Sequence, residues 1–345
     1  MKLTLQNKFN LDSEVTCCAF LTEKMAVAVN KLGCLFFLNL QEKSIQKKED
    51  LKEDAPYYQL EHDSERIFLG GKTGALLCLD FEGTLLWRRE FDSTIAKIVL
   101  DDITQNGTPE LLVSSYDFTL RVFDTTGEMI WAQSFSRGIE AILPYKPDQG
   151  PIKVIAGGND GSVRIFNKAT GEMEWFFMQE QMVRALTANQ KKGLIYCGGD
   201  DYCVHMIDFA TQKEIGNYSL DSYVRNIEYL NSLDALLVTT YSYGYLRLIG
   251  SSDAIPRILL LNADLSEIIW EIPKFNVESM EICDHYLVCG TTDGELVIVK
   301  LDNGEVLYSE KIGTFLNQVA CDEQKGLLSI LCADDDGNFS HFSSS

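Results

Sequence analysis

The sequence lacks any stretch approaching the roughly 18 to 20 uncharged apolar residues that cross a bilayer. Its opening, MKLTLQNKFNLDSE, has no apolar core region and no small-residue cleavage site, which points away from export. Positive charge is scarce: 30 basic against 51 acidic side chains leave a net charge of −21, and no basic run exceeds Lys47-Lys48. Such a chain repels nucleic acid and anionic lipid at long range, so neither is expected as a partner. Histidine is rarer still. His62, His205, His285 and His341 are scattered without the spacing of metal ligands, and no metal site is expected. No Gly-x-Ser-x-Gly elbow occurs. Gly71-Lys72-Thr73 resembles the end of a phosphate loop, but Arg66 stands where that loop needs its first glycine. The strand-like ALLCLD follows where a helix is required, so the segment reads as a hairpin turn. With no nucleophile, base and electrophile to assemble, the chain is not expected to be an enzyme or to hold a cofactor.

Cysteine is not scarce, with ten residues, but most lie inside apolar strand-like runs such as Leu194 to Cys197 and Leu287 to Cys289. There they act as small buried hydrophobes, which suits a reducing, cytoplasmic location.

What the sequence has in abundance is a repeat. Gly161 to Trp175 (GSVRIFNKATGEMEW) reads as two short strands and two turns. The same grammar recurs in Ala75 to Trp87 (ALLCLDFEGTLLW), Thr119 to Trp131 (TLRVFDTTGEMIW) and Glu295 to Tyr308 (ELVIVKLDNGEVLY). One turn position recurs at Gly33, Gly74, Phe118, Gly161, Tyr202, Gly244, Gly294 and Gly337, spaced 41 to 44 residues apart except for one interval of 50. Eight markers predict eight units, and the long interval places an insertion between Tyr241 and Pro256. The last unit, Phe315 to Phe342, supplies three strands, while Lys2 to Phe9 is a strand with no unit of its own. The expected fold is therefore all-β: one β-propeller domain over residues 1–345, with eight four-stranded blades closed by the N-terminal strand completing the last blade. Seven blades are the alternative if the first unit, whose fourth strand is the charged Ser44 to Glu49, is irregular.

Ala169-Thr170-Gly171 followed by Trp175, echoed by Thr126-Gly127 before Trp131, resembles the tryptophan-docking repeat of quinoprotein-like propellers, a set overlapping WD-repeat-like proteins. That resemblance implies a fold rather than an activity. In the third unit, Asp101 to Val113 resembles an FG-GAP blade, and Glu110 to Phe123 is similar to propeller blades of the Bardet–Biedl ciliary coat complex. The first likeness implies calcium ligands at Asp102, Thr104 and Asn106, but one carboxylate is too few, and the loop reads as a glycine-stabilised turn. Quinoprotein enzymes also carry a vicinal disulfide against their cofactor, which draws attention to Cys17-Cys18. Those enzymes are exported and much longer, so a quinoprotein-like enzyme or cofactor-binding propeller is kept as the alternative function.

The aromatics Trp87, Trp131, Trp175, Trp270 and Tyr308 share one register, best explained by packing between adjacent sheets. Eight to ten residues after each aromatic stand Lys97, Glu140, Arg184, Arg225 and Glu278, with Thr16 and Asn317 completing the set. First strands line a propeller's channel, so these residues predict a ring of mixed charge there. Either the charges pair across the ring, or Arg184 and Arg225 hold an acidic peptide or carboxylate. In the insertion, Tyr241, Tyr243 and Tyr245 alternate, as an interface anchor or as a longer hairpin packed on its own blade. The function expected is a non-catalytic scaffold binding other proteins or peptides, a propeller subunit of a multiprotein assembly of trafficking or coat-like type.

Overall fold

The computed structural model describes residues 1–148, 150–242, 255–324 and 326–344. Among the described residues, 32 strands and one three-residue 3-10 turn, Lys52–Asp54, make up the regular structure. The strands form eight four-stranded antiparallel sheets, the blades of an eight-bladed β-propeller. The chain divides into two compact units, Met1–Ile95 with Val277–Ser345, and Ala96–Asn276.

In the first unit, blade 1 runs Val15–Thr22, Met25–Asn30, Cys34–Asn39 and Ser44–Asp50. Blade 2 runs Tyr57–His62, Arg66–Gly71, Ala75–Asp80 and Leu85–Glu90, and blade 7 runs Val277–Cys283, Tyr286–Thr291, Glu295–Lys300 and Val306–Lys311. The charged SIQKKED segment is a regular strand, paired from Cys34↔Asp50 to Asn39↔Ser44. It is the edge of its sheet, where lysines and acids oppose further strand pairing, and its regularity settles the count at eight.

Blade 8 supplies Leu316–Gln324, Leu327–Asp334 and Asn338–Ser344, and Leu3–Asn10 completes it with a register from Leu3↔Ser344 to Asn10↔Asn338. Leu11, Val15, Phe36, Leu331 and Phe339 share the core beside this seam. His341 is fixed within it. Its Nδ1 accepts from Asn7 Nδ2 at 3.0 Å, and its Nε2–H donates to Ser329 Oγ at 2.8 Å. Burial, with a lesser push from the charge of Lys43, lowers its pKa from 6.5 to about 4.

The second unit holds blades 3 to 6. Blade 3 runs Ile95–Asp101, Glu110–Ser115, Thr119–Phe123 and Met129–Ser134; blade 4 runs Ile139–Tyr145, Lys153–Gly158, Ser162–Asn167 and Met173–Met178. Blade 5 runs Val183–Asn189, Leu194–Gly199, Cys203–Asp208 and Lys213–Ser219, and blade 6 runs Tyr223–Leu230, Ala235–Tyr241, Arg257–Asn262 and Ile268–Pro273. Second strands are buried on both faces, as their continuous apolar runs require, whereas fourth strands alternate half-buried and exposed. The insertion falls between the second and third strands of blade 6. Tyr241 ends the second strand, and Tyr243, Gly244 and Tyr245 lie outside the described residues.

Trp131 shows what the aromatic register does. It is 6% exposed, its Nε1 donates to the carbonyl of Lys168 at 2.8 Å, and it lies against Gly171, where an added Cβ would fall 2.6 Å from its ring. The register does not behave uniformly, however: Trp87, Trp175 and Trp270 are only half-buried, because the fourth strand faces solvent on one side.

Two outcomes follow for measurement. Trp131→Ala should destabilise by about 3–5 kcal/mol in denaturant unfolding, with Trp175→Ala costing clearly less. His341, with its pKa depressed in the fold, contributes stability that is present above pH 6.5 and lost as pH falls toward about 4. Unfolding free energies across that window should therefore fall less steeply for His341→Gln than for the parent.

Candidate functional site

In seven blades, pairing between the first and second strands slips by one residue near the start of the first strand, after its opening residue in six and after its second residue, Val224, in blade 6. The extra residues are Thr16, Tyr58, Glu140, Arg184, Arg225, Glu278 and Asn317. A bulge of this kind leaves one residue outside the ladder and re-aims its side chain. Most of the residues singled out by spacing thus sit at bulges of their own blades, with two differences. Tyr58 belongs to the set, and Lys97 does not. In blade 3 the opening residue is Ile95, which meets Gly70 just as Val183 meets Gly157 and Val224 meets Gly198. Ala96 therefore takes the next position, and Lys97 stands one residue further on, exposed.

The bulge residues find partners locally. In the first unit, Thr16 Oγ1 donates to the carbonyl of Val29 at 3.1 Å, and Asn317 Nδ2 donates to that of Val15 at 3.0 Å; Glu278 is half-buried. In the second unit, Glu140 accepts from the phenol of Tyr116 at 2.7 Å and from Asn159 Nδ2 at 3.5 Å. Burial and this carboxylate raise the Tyr116 pKa, a shift that the positive charges of Arg184 and Arg225 oppose. Arg184 grips Asp200 through Nε and through Nη2, the latter 3.0 Å from Oδ2. The Arg225 guanidinium lies 5.6 Å from the centre of the Tyr241 ring. Glu140, Arg184 and Arg225 thus share one array, while Glu278 belongs to the other unit.

Turns between second and third strands frame this array by a repeated device. Asp117, Asp160 and Asp201 accept from the backbone N–H two residues on, at 2.9, 3.0 and 3.2 Å, and ion-pair four residues on with Arg121, Arg164 and His205. His205 takes the place of an arginine and behaves as one. Burial alone would lower its pKa, but hydrogen bonds with Asp201, Cys203 and Glu214 raise it to about 11. The following turn residue is glycine in five blades, at φ between +79° and +97°. In blades 3 and 5 it is Phe118 at φ +72° and Tyr202 at φ +63°, both with exposed rings. A bulky residue in this region is strained.

Beside Tyr202 opens a pocket of about 360 Å³ lined by Glu180, Gln181, Asp200, Asp201, Tyr202 and Tyr223. The two tyrosine rings are 4.9 Å apart, centre to centre, tilted by 53°. Tyr116, Asp200 and Tyr223 were not singled out by the sequence because they meet only across blades. The available signal was the pair of aromatics standing at a glycine's turn position.

The remaining candidates resolve as architecture. Asp102 accepts from the N–H groups of Asn106 and Gly107, Asn106 Oδ1 from Thr108 N, and the Thr104 hydroxyl donates to buried Glu110. The loop's polar groups close it as a turn, and no group of three metal-ligating side chains occurs among the described residues. Cys17 packs into the core between blades 1 and 2 and Cys18 into that between blades 8 and 1, so their side chains take opposite faces of one strand. Burial pushes the Cys17 thiol up to about 12.

No curated protein matches the sequence. The family model for the lambda-carrageenase beta-propeller domain matches residues 70–158, under half of the chain. Among solved structures, Saccharomyces cerevisiae Sqt1 is similar at 10% identity over 100% of both chains, with a TM-score of 0.83. BamB from Moraxella catarrhalis is similar at 18% identity over 99% of this chain and 98% of its own, TM-score 0.70. The WD40 beta propeller domain of Doa1 is similar at 13% identity over 99% and 97%, TM-score 0.61. At these identities the likeness is one of fold.

The electrostatics of the turns can be checked at His205. With its folded pKa raised, its contribution to stability is complete below pH 6.5 and disappears as pH rises through about 11. Imidazole resonances should show His205 charged from pH 5 to 8, and the stability deficit of His205→Gln should shrink as pH climbs above 6.5.

Proposed function

We propose that the protein is a non-catalytic protein-interaction scaffold whose binding face is the array on residues 96–276. The observation that carries this reading is the concentration of Tyr116, Phe118, Tyr202, Tyr223, Tyr241, Arg184 and Arg225 around the bulges and turns of blades 3 to 6. Tyrosine and arginine dominate the energetics of interfaces because they contribute area and directional contacts with little loss of freedom. Phe118 and Tyr202 keep exposed rings on unfavourable backbone, which folding alone does not reward. Arg184 is committed to Asp200, so its charge orders the wall of the face, and Arg225 beside Tyr241 is the arginine better placed to meet a partner's acidic group. The likeness of blade 3 to coat-complex propellers favours a subunit of a multiprotein assembly. A cytoplasmic setting accords with eight cysteine thiols whose pKa values are raised, chiefly by burial.

Photo-crosslinking in source cells tests the face directly. A benzoylphenylalanine at Phe118 should capture a discrete partner that the same group at exposed Ile215, on a fourth strand, does not. Arg184→Glu with Arg225→Glu should reduce that capture about tenfold or more, as loss of a central anchor does. Equal capture from both positions, or capture unaffected by the charge reversals, would remove this face from the interaction.

A further inference from the structure

The pocket beside Tyr202 has a chemistry of its own. Two carboxylates in its wall are already balanced, Asp200 by Arg184 and Asp201 by His205. Glu180 is exposed, and its carboxylate has no partner among the described residues, which leaves the pocket one negative charge in excess. The rings of Tyr202 and Tyr223, 4.9 Å apart and inclined at 53°, form two walls whose faces carry partial negative charge. An anion is therefore repelled. A metal ion is poorly served, since the carboxylates are tied back to Arg184 and His205 rather than converging. A large, weakly hydrated cation suits aromatic faces and one carboxylate, and about 360 Å³ admits a butylammonium chain with methyl groups on its nitrogen.

Tyr202 adds an independent observation. Its backbone lies at φ +63°, at the turn where Gly33, Gly74, Gly161, Gly294 and Gly337 serve other blades, and its ring remains 40% exposed. Glycine suits this backbone better, so the turn keeps the ring, packed on one side against Tyr223 and open on the other, at a conformational cost.

We propose that this pocket binds an organic ammonium ion, namely the free or methylated ε-ammonium of a lysine on a partner segment. The inference rests on the reading of this face as an interaction surface and names the side chain it receives. A chain of net charge −21 favours a basic partner at long range as well.

Fluorine NMR of the full chain labelled with fluorotyrosine, with Tyr202 and Tyr223 assigned by substitution, provides the test. N-acetyl-lysine amide and its trimethylated form should shift both resonances saturably, and the norleucine analogue and acetate should not. Tyr202→Gly and Glu180→Gln should each weaken binding about fivefold to tenfold. The unfolding midpoint of Tyr202→Gly should equal or exceed the parent's, because glycine suits the turn. No saturable shift with either lysine probe, an equal response to norleucine, or a Tyr202→Gly protein less stable than its parent would overturn the proposal. Choline binding more tightly than both lysine probes would assign the pocket to a free small molecule and overturn the partner-segment assignment. Phe118 crosslinking that persists without ammonium binding would sink the pocket alone; ammonium binding without any crosslinked partner would sink the scaffold reading alone.

Discussion

Blade-to-blade packing turns on a bare backbone position near the end of the second strand. At Gly70, Gly157, Gly198 and Gly290, a side chain's first carbon would come within 2.9 Å of Ile95, Val183, Val224 and Leu316, each at or next to the start of the next blade's first strand. These distances are shorter than side-chain carbons tolerate, so the glycine admits its neighbour and sets how closely sheets stack. The admitted residue must be apolar and inward. The chain then has to turn away, and the ladder slips by one residue at the very next position. At Arg184, Arg225 and Asn317 the bulge thus follows directly on the stacked residue. Its occupant is outside both the ladder and the packed seam, which is why Thr16, Tyr58, Glu140, Arg184, Arg225, Glu278 and Asn317 have so little in common. Architecture constrains the residue before and leaves the next one open for function.

That division also explains how charge is handled. Of the charged residues that spacing singled out, two are satisfied close to home: Glu140 by Tyr116 and Asn159, Arg184 by Asp200. Short pairings to turn residues of the same or the adjacent blade hold these groups in place while leaving them accessible at 15% to 17% for Arg184 and Asp200. A pre-ordered, partly solvated face loses less freedom on binding than one built from free side chains.

Most of the fold was legible because it follows from repetition. Glycine turns, apolar second strands and a stray N-terminal strand are periodic features, and eight blades with a shared last sheet follow from counting them. Counting also produced the errors. Measuring from each aromatic to the next charge assumes a constant connection, and in blade 3 the count arrived at Lys97 when the packed residue Ile95 fixes Ala96 instead. Treating the tryptophans as equivalent overlooked that Trp131 is buried beneath the turn at Lys168 to Gly171 while Trp87, Trp175 and Trp270 are half-buried. The candidate site was less legible, since Tyr202 meets Tyr223 and Tyr116 meets Glu140 from different blades, and no linear spacing encodes those meetings. What the chain does reveal is conflict between levels: an aromatic where the local turn calls for glycine marks a position serving something other than the turn.

The two placed histidines show how the same side chain is driven to opposite states by what surrounds it. His205 has carboxylates on both ring nitrogens, Asp201 at 2.9 Å and Glu214 at 2.8 Å, so the cation is the form that satisfies every partner. His341 faces an amide donor on one nitrogen and a hydroxyl on the other, so the cation would set Nδ1–H against Asn7 Nδ2–H. Mild acid therefore acts on the seam that holds Leu3–Asn10 to Asn338–Ser344, where a neutral ring is required, and leaves the Asp201 turn beneath Tyr202 charged and intact. The closure of the last blade and the ordering of the Asp201 turn consequently respond to different ranges of pH. A single repeat, by varying one residue at equivalent strands and turns, has separated the chemistry that holds a blade together from the chemistry that presents a surface.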